Sequence, residues 1–321
     1  MSSPMHGSMF VAVIGLLVGA SPWLVAGCAR CADGYHAPEP VASGFAGELR
    51  GVGFSERGNF VAVGDAGVIV YKDDFDAGIK SVQPVSADLY AVTPDARGGE
   101  ALVVGAQGTM LTSLHGGAWS VVDVGTSNDL RAVLQVEQAS RAYAIAVGDD
   151  VVVVRDQDAD AWQTIAPPEG GWGRLRGVYA TDDRIVGVGL AGVIWSTDDP
   201  HGSWARDASG TDEDLLAVGG SFIELFAVGA GGTLVHRERA GEWRPITLDL
   251  DVDLVDIDHD GVVLAADGRL FRIDDAATGI EPLFDVGSRS HALAFYGSSF
   301  LIVGEGGHMS SMLLGTVPQC D

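Results

Sequence analysis

Leu215-Leu-Ala-Val218, then Ala227-Val-Gly229-Ala-Gly-Gly232-Thr-Leu234, then Trp243-Arg-Pro-Ile-Thr-Leu248 is the stretch on which the fold turns. Each piece is a short apolar run bounded by glycine, serine or charge. Such runs read as β-strands, and none is long enough for an amphipathic helix. Two strands, a glycine turn, a third strand and a tryptophan-led fourth make one antiparallel sheet.

The same order recurs along the chain. It appears as Leu49-Arg-Gly-Val52 with Val61-Ala-Val-Gly64-Asp-Ala-Gly67, as Leu89-Tyr-Ala-Val92 with Val103-Val-Gly105-Ala-Gln-Gly108, and as Leu130-Arg-Ala-Val133 with Ala146-Val-Gly148. It returns as Leu175-Arg-Gly-Val178 with Gly187-Val-Gly189-Leu-Ala-Gly192, as a degenerate Leu254-Val-Asp-Ile257 with Ala265-Ala-Asp267-Gly268, and as Ala292-Leu-Ala-Phe295 with Ile302-Val-Gly304-Glu-Gly-Gly307. The starts at 49, 89, 130, 175, 215, 254 and 292 are separated by 40, 41, 45, 40, 39 and 38 residues. Repeats of about 40 residues built from four strands mean propeller blades. Closure into a ring removes the exposed sheet edges that an open array would carry. The expectation is an all-β, seven-bladed β-propeller of four-stranded antiparallel blades over residues 49–321, with a solenoid as the lesser alternative.

Fourth strands are marked by Trp119, Trp162, Trp204 and Trp243, with Ile79 and Ile280 holding the place in units one and six. These rings are expected to pack between neighbouring blades. The seventh unit has only seven residues left after Leu314, too few for another strand and its turn. Tyr35-His-Ala-Pro-Glu-Pro-Val-Ala-Ser43 stands 14 residues ahead of Leu49 and reads like Trp162-Gln-Thr-Ile-Ala-Pro-Pro168, so residues near 35–43 are expected to complete the last blade.

Met9 to Ala20 is an uncharged apolar run of twelve, the length of a signal-peptide core and short of the ~20 residues of a membrane span. Val25-Ala-Gly-Cys28 resembles a bacterial lipobox, although Met1 to Ser8 contains no Lys or Arg. That resemblance implies a signal peptide over 1–27, lipidation of Cys28, and a tether with the ring-closing strand over 28–48. A cleaved ordinary signal or an uncleaved N-terminal anchor are the alternatives. Ala29 after the cysteine, by likeness to lipoprotein sorting, implies the outer membrane of the cell envelope. Cys31 would enter the closing blade beside the exit of Cys320, so these two are expected to form a disulfide in an oxidising compartment.

The repeated L-x-x-V, V-G-x-x-G and trailing tryptophan resemble photosystem II stability/assembly factor-like propellers and their relatives with BNR, or sialidase-type Asp-box, repeats. Ser196-Thr-Asp198-Asp-Pro-His-Gly202-Ser-Trp204 is similar to the box with two extra residues, and Ser113-Leu-His-Gly-Gly117-Ala-Trp119 with one fewer. The resemblance implies structural turns at the boxes and a monomeric scaffold for a protein partner. A sialidase-like hydrolase with a site in the central channel is the competing expectation. Phe271-Arg-Ile-Asp274 is similar to that family's F-R-I-P, with Asp for Pro. Catalytic residues are not identifiable.

Composition narrows the remaining classes. With 44 acidic against 19 basic residues the net charge is −25, which repels nucleic-acid phosphates and anionic membrane surfaces. Gly187-Val-Gly-Leu-Ala-Gly192 fits a dinucleotide fingerprint in letters, but Val193-Ile-Trp195 beyond it is strand-like where a helix is needed. Cys28-Ala-Arg-Cys31 falls at the cleavage site and outside any redox βαβ context. Asp256-Ile-Asp258-His-Asp260-Gly261 is similar to the start of a calcium loop, and Ca²⁺ at Asp256, Asp258 and Asp260 is the one cofactor expectation. Its rival is a plain hairpin turn over His259–Gly261.

Overall fold

The computed structural model describes residues 38–313, apart from 56–58, 73–77, 95–99, 115–117, 139–140, 222, 239–240 and 298. Cys28, Cys31 and Cys320, and the residues 1–27 expected to form a signal segment, lie outside the described residues. The first apolar stretch of every unit forms an inner strand: Leu49–Phe54, Leu89–Thr93, Leu130–Gln138, Leu175–Thr181, Leu215–Gly220, Leu254–Ile257 and Ser290–Tyr296. Each inner strand lies beside the next, and Leu49–Phe54 meets Ser290–Tyr296, so the seven surround a central channel. In blade 5 three further strands follow outward, Glu224–Gly229, Leu234–Glu238 and Arg244–Ile246, all antiparallel. The other blades repeat this order.

Blade 7 takes its outermost strand from the other end of the chain. Glu39 and Pro40 pair with Ser311 and Ser310, so the seven-bladed ring closes with an N-terminal strand as expected. The register of this blade differs from the sequence reading. Gly304 pairs with Ser290, just as Gly64 pairs with Leu49, so the seventh unit starts at 290 and not at 292. Ser290 sits fully buried where the other blades place leucine, and its hydroxyl donates to Ser288 O at 3.1 Å. That bond satisfies a polar group where water cannot reach.

Apolar side chains gather at every joint between blades. Trp204 joins Val136 and Tyr143 of blade 3, and Trp243 joins Val186 and Val188 of blade 4. Trp162 and Trp119 likewise reach back to the preceding blade, as do Ile79 and Ile280. Burying one large ring is worth roughly 2–3 kcal/mol. The interblade packing predicted for this position is therefore observed, with each fourth strand beginning at or just after the marker residue.

The two glycines of V-G-x-x-G answer different demands. A Cβ on Gly229 would lie 1.8 Å from Asp214 O, so the first glycine is a close approach. Gly232 has φ +76° and closes a short turn against Leu250 O, 2.4 Å from where its Cβ would be. The residue before it is also left-handed, yet here Ala66, Gln107 and Ala191 occupy the place with φ of 53°, 57° and 56°. Their strain is offset from the neighbouring blade. Ala66, Gln107, Ala191 and Gly231 each donate the backbone N–H to an aspartate just ahead of the next inner strand: Asp88, Asp129, Asp214 and Asp253, at 2.8, 2.8, 2.8 and 2.9 Å. Part of the acidity of this chain thus fastens blade to blade.

Candidate binding face

The starts of all seven inner strands lie at one mouth of the channel, and each carries a register shift of one residue. The shifts fall between Leu49 and Gly51, Leu89 and Ala91, Leu130 and Ala132, Leu175 and Gly177, Leu215 and Ala217, Leu254 and Asp256, and Ser290 and Ala292. An extra residue in one strand re-aims its side chain out of the ladder. The seven residues so displaced are Arg50, Tyr90, Arg131, Arg176, Leu216, Val255 and His291, every one half-buried. Six of these residues are the first x of L-x-x-V, and His291 takes the same place once the seventh unit starts at Ser290. The repeat reading used their spacing and passed over their identities, although the letter signal was present.

The ring is unequal around its circumference. From blade 7 through blade 4 it runs His291, Arg50, Tyr90, Arg131 and Arg176, and across blades 5 and 6 it is apolar with Leu216 and Val255. Arg131 stacks over the Tyr90 ring at 4.1 Å, a cation–π contact across the joint of blades 2 and 3. Asp149 receives Arg176 at 2.7 Å and Arg131 at 3.3 Å. Burial would push the Asp149 carboxyl up, but these two guanidiniums outweigh it and hold it below the usual carboxylate range. Arg50 pairs with Glu48 and Asp65 at 2.7 and 2.8 Å. Burial lowers the His291 pKa against the opposing pull of Glu48, so its ring is neutral at pH 7. The mouth therefore presents fixed polar, aromatic and apolar side chains with paired charges.

The acidic stretch of blade 6 divides. Asp258, His259 and Asp260 bring one ligand atom each within 4.8 Å of the others, whereas Asp256 stands apart from that group. Asp256 accepts Leu293 N–H of blade 7 at 2.8 Å and its neighbour's N–H, from Ile257, at 2.9 Å. Burial pushes its pKa up to about 7, despite those two bonds. Asp258 Oδ1 accepts the amides of Asp260 and Val262 at 2.9 and 2.8 Å, which is an Asx turn closing the hairpin at Gly261. Burial raises Asp258 to about 6. The residues that could offer oxygen to a cation here are Asp258 and Asp260, with the imidazole of His259 beside them.

Other motifs settle into the frame. Gly187–Gly192 ends one strand and turns into the strand Val193–Thr197, as the context predicted. Around the box of blade 4, Thr197 Oγ1 donates to Asp199 O and Ser203 O at 2.8 and 3.1 Å, and His201 Nε2 meets Asp156 Oδ1 of blade 3 at 3.0 Å. The box is a turn. Asp274 accepts the amides of Ala276 and Thr278, and Arg272 is exposed on its strand, so Phe271–Asp274 forms a strand end and turn. Among the described residues no helix is long and apolar enough to cross a membrane.

No family model matches the chain, and no curated protein does. Solved structures do. YCF48 bound to D1 peptide is 16% identical, with TM-score 0.69 over 87% of this chain and 96% of that one. YCF48 from Cyanidioschyzon merolae is 16% identical, with TM-score 0.66 over 87% and 98%. A catalytically inactive virginiamycin B lyase from Staphylococcus aureus is 12% identical, with TM-score 0.71 over 86% and 98%. These likenesses are likenesses of fold: a seven-bladed β-propeller shared by a structure that holds a peptide and by a lyase.

Proposed function

We propose that this protein is an exported, lipid-anchored scaffold that binds a protein partner through the channel mouth. The observation that carries the reading is the ring of displaced residues. One invariant backbone feature, repeated seven times, displays three arginines, a tyrosine, a leucine, a valine and a histidine on a rigid frame. A constant scaffold with variable display is what recognition needs, since rigid anchors lose little entropy on binding. The apolar arc of Leu216 and Val255 supplies the buried centre of such an interface, and Tyr90 with the paired arginines its rim. YCF48 has been seen with a peptide, which agrees with a peptide segment as ligand.

The address rests on the segment ahead of the ring. Cys28 lipidated at the end of a signal sequence would hold the propeller at the cell envelope, with the outer membrane as its site. Radiolabelled palmitate incorporated by the wild type and lost in Cys28→Ala is the expected result. For the binding reading, crosslinking and purification from envelope membranes should recover a stoichiometric partner. Leu216→Asp should lose it while melting within about 2 °C of the wild type, because a half-buried surface position costs little. A partner retained by Leu216→Asp overturns the reading.

A hydrolase with a site in the channel is the second reading, favoured by the raised pKa values of Asp256 and Asp258, which lie where a general acid operates. Hydrolysis of a glycan panel, lost in Asp258→Asn, would establish it.

A further inference from the structure

The channel mouth is neutralised on one side and not on the other. From blade 7 round to blade 4 every displaced arginine is held by carboxylates of the protein itself: Arg50 by Glu48 and Asp65, Arg131 by Asp129 and Asp149, and Arg176 by Asp149. A guanidinium so occupied is a poor site for a partner's anion, which would have to displace a charge-assisted bond already made.

The apolar arc is surrounded differently. Because the four strands of a blade alternate in direction, the segments that join each fourth strand to the next inner strand return to this same mouth. Those leading into blades 5 and 6, residues 208–214 and 247–253, flank Leu216 and Val255. They carry six carboxylates, Asp212, Glu213, Asp214, Asp249, Asp251 and Asp253, and no Lys or Arg. Asp214 is half-buried and the other five are exposed. Asp214 and Asp253 accept backbone N–H groups, and among the described residues none of the six is paired with a cationic side chain. In Leu248-Asp-Leu-Asp-Val-Asp253 the alternation of an extended chain does this directly. Leu248, Leu250 and Val252 pack on the core shared by blades 5 and 6, while the three aspartates turn to water.

We infer that the mouth takes a segment of the protein partner that seats an apolar side chain against Leu216 and Val255 and carries Lys or Arg on either side of it. The inference deepens the scaffold reading and rests on it. Its ground is complementarity of charge around an apolar patch. The stem of a Lys or Arg lies along apolar surface while its head reaches the flanking carboxylates. An acidic segment would meet like charge from both flanking loops and find the arginines across the mouth already occupied, so the same arrangement excludes it.

The test selects short random peptides on the purified full chain and, in parallel, on its Leu216→Gln form. Peptides enriched on the wild type and lost on Leu216→Gln should combine a large apolar residue with flanking Lys or Arg. Their affinity should fall about tenfold between about 50 and about 300 mM NaCl, and by a similar factor at the lower salt when Asp249→Asn is combined with Asp251→Asn. Both aspartates are exposed, so that double variant should melt with the wild type, which separates lost charge from lost fold. Acidic or uncharged peptides enriched on the wild type and lost on Leu216→Gln would overturn the inference and leave the mouth standing as the binding face. Peptides held equally by both forms would overturn the mouth itself. Enrichment on neither form, or basic peptides indifferent to salt and to the double variant, would also overturn the inference.

Discussion

The joint between blades 5 and 6 and the joint between blades 6 and 7 solve one problem in two places. At the first, the bond crosses at the rim: Asp253 accepts Gly231 N–H at 2.9 Å, and the inner strand beside the channel is small, with Ala217 and Gly219. At the second, the rim position holds the exposed Arg289, and the inner strand carries Asp256, which accepts Leu293 N–H at 2.8 Å. The crossing bond has moved inward. A rim carboxylate sits near water, while the channel carboxylate is enclosed and its charge is resisted. A repeat can therefore exchange residues at two positions and keep its geometry, at the cost of a new dependence on pH.

The sharpest way to break the regular joint is to fill its close approach. Gly229→Ala should cost about 3 kcal/mol or more, because the added methyl meets Asp214 O at 1.8 Å and backbone cannot move aside cheaply. Gly231→Ala, two residues on, should cost less than about 1 kcal/mol. Its Cβ meets open space, and alanine already stands at the equivalent Ala66 and Ala191. Chemical denaturation of the two variants should separate them clearly, and equal losses would refute the distinction between the two glycines.

The irregular joint should respond to pH in the opposite sense to the Asp149 ion pairs at the channel mouth. Asp256, raised to about 7, favours folding fully below about pH 4 and loses that contribution as pH rises to about 7. Asp258, raised to about 6, adds a smaller slope of the same sign. Asp149 is held down by Arg176 and Arg131, so its contribution is present above about pH 4 and is lost as pH falls through its lowered value. Asp256→Asn keeps an oxygen for Leu293 N–H, sets its amide nitrogen against Ile257 N–H, and, having no proton to lose, should flatten the profile between about pH 4 and 7. Melting curves across that range test it; a variant as steep as the wild type would clear Asp256 of the effect.

Smallest of the three is the rim bond itself. Asp253→Ala leaves Gly231 N–H to water and should cost about 1 kcal/mol, with Asp88→Ala, Asp129→Ala and Asp214→Ala alike. Combined, the four losses should add nearly independently, since the joints are far apart. Strong non-additivity would mean that the ring opens as a whole once any joint loosens.

Much of the fold was legible because a propeller writes its geometry into every unit. Leucine, glycine pair and tryptophan each recur for a reason that repeats, and even the ring-closing strand was readable from Glu39-Pro-Val41. Blade 7 was misaligned by two residues because matching by hydrophobicity passes over Ser290, whose burial is permitted only by a hydrogen bond to Ser288 O. The candidate site was less legible. Arg50, Tyr90, Arg131, Arg176, Leu216, Val255 and His291 recur only as three arginines and otherwise differ, so a search for repetition passes over them, and only the bulge in each inner strand reveals that they stand together. The aspartates that clasp blades do leave a trace, standing directly ahead of Leu89, Leu130, Leu215 and Leu254, but letters within one unit do not show that they bond the preceding blade's turn. The reach of Asp256 across to Leu293 depends on neighbouring blades and was hidden for the same reason.

The claim that the channel mouth is the binding face is tested most directly by photocrosslinking in intact cells. A benzophenone side chain placed at Leu216, in the apolar arc of the mouth, is compared with one at Leu114, which is exposed at the end of its strand towards the opposite face. The account predicts a discrete, saturable protein adduct from position 216 and none from 114. An adduct from 114 alone, or none from 216 in the presence of a partner recovered by other means, would contradict it.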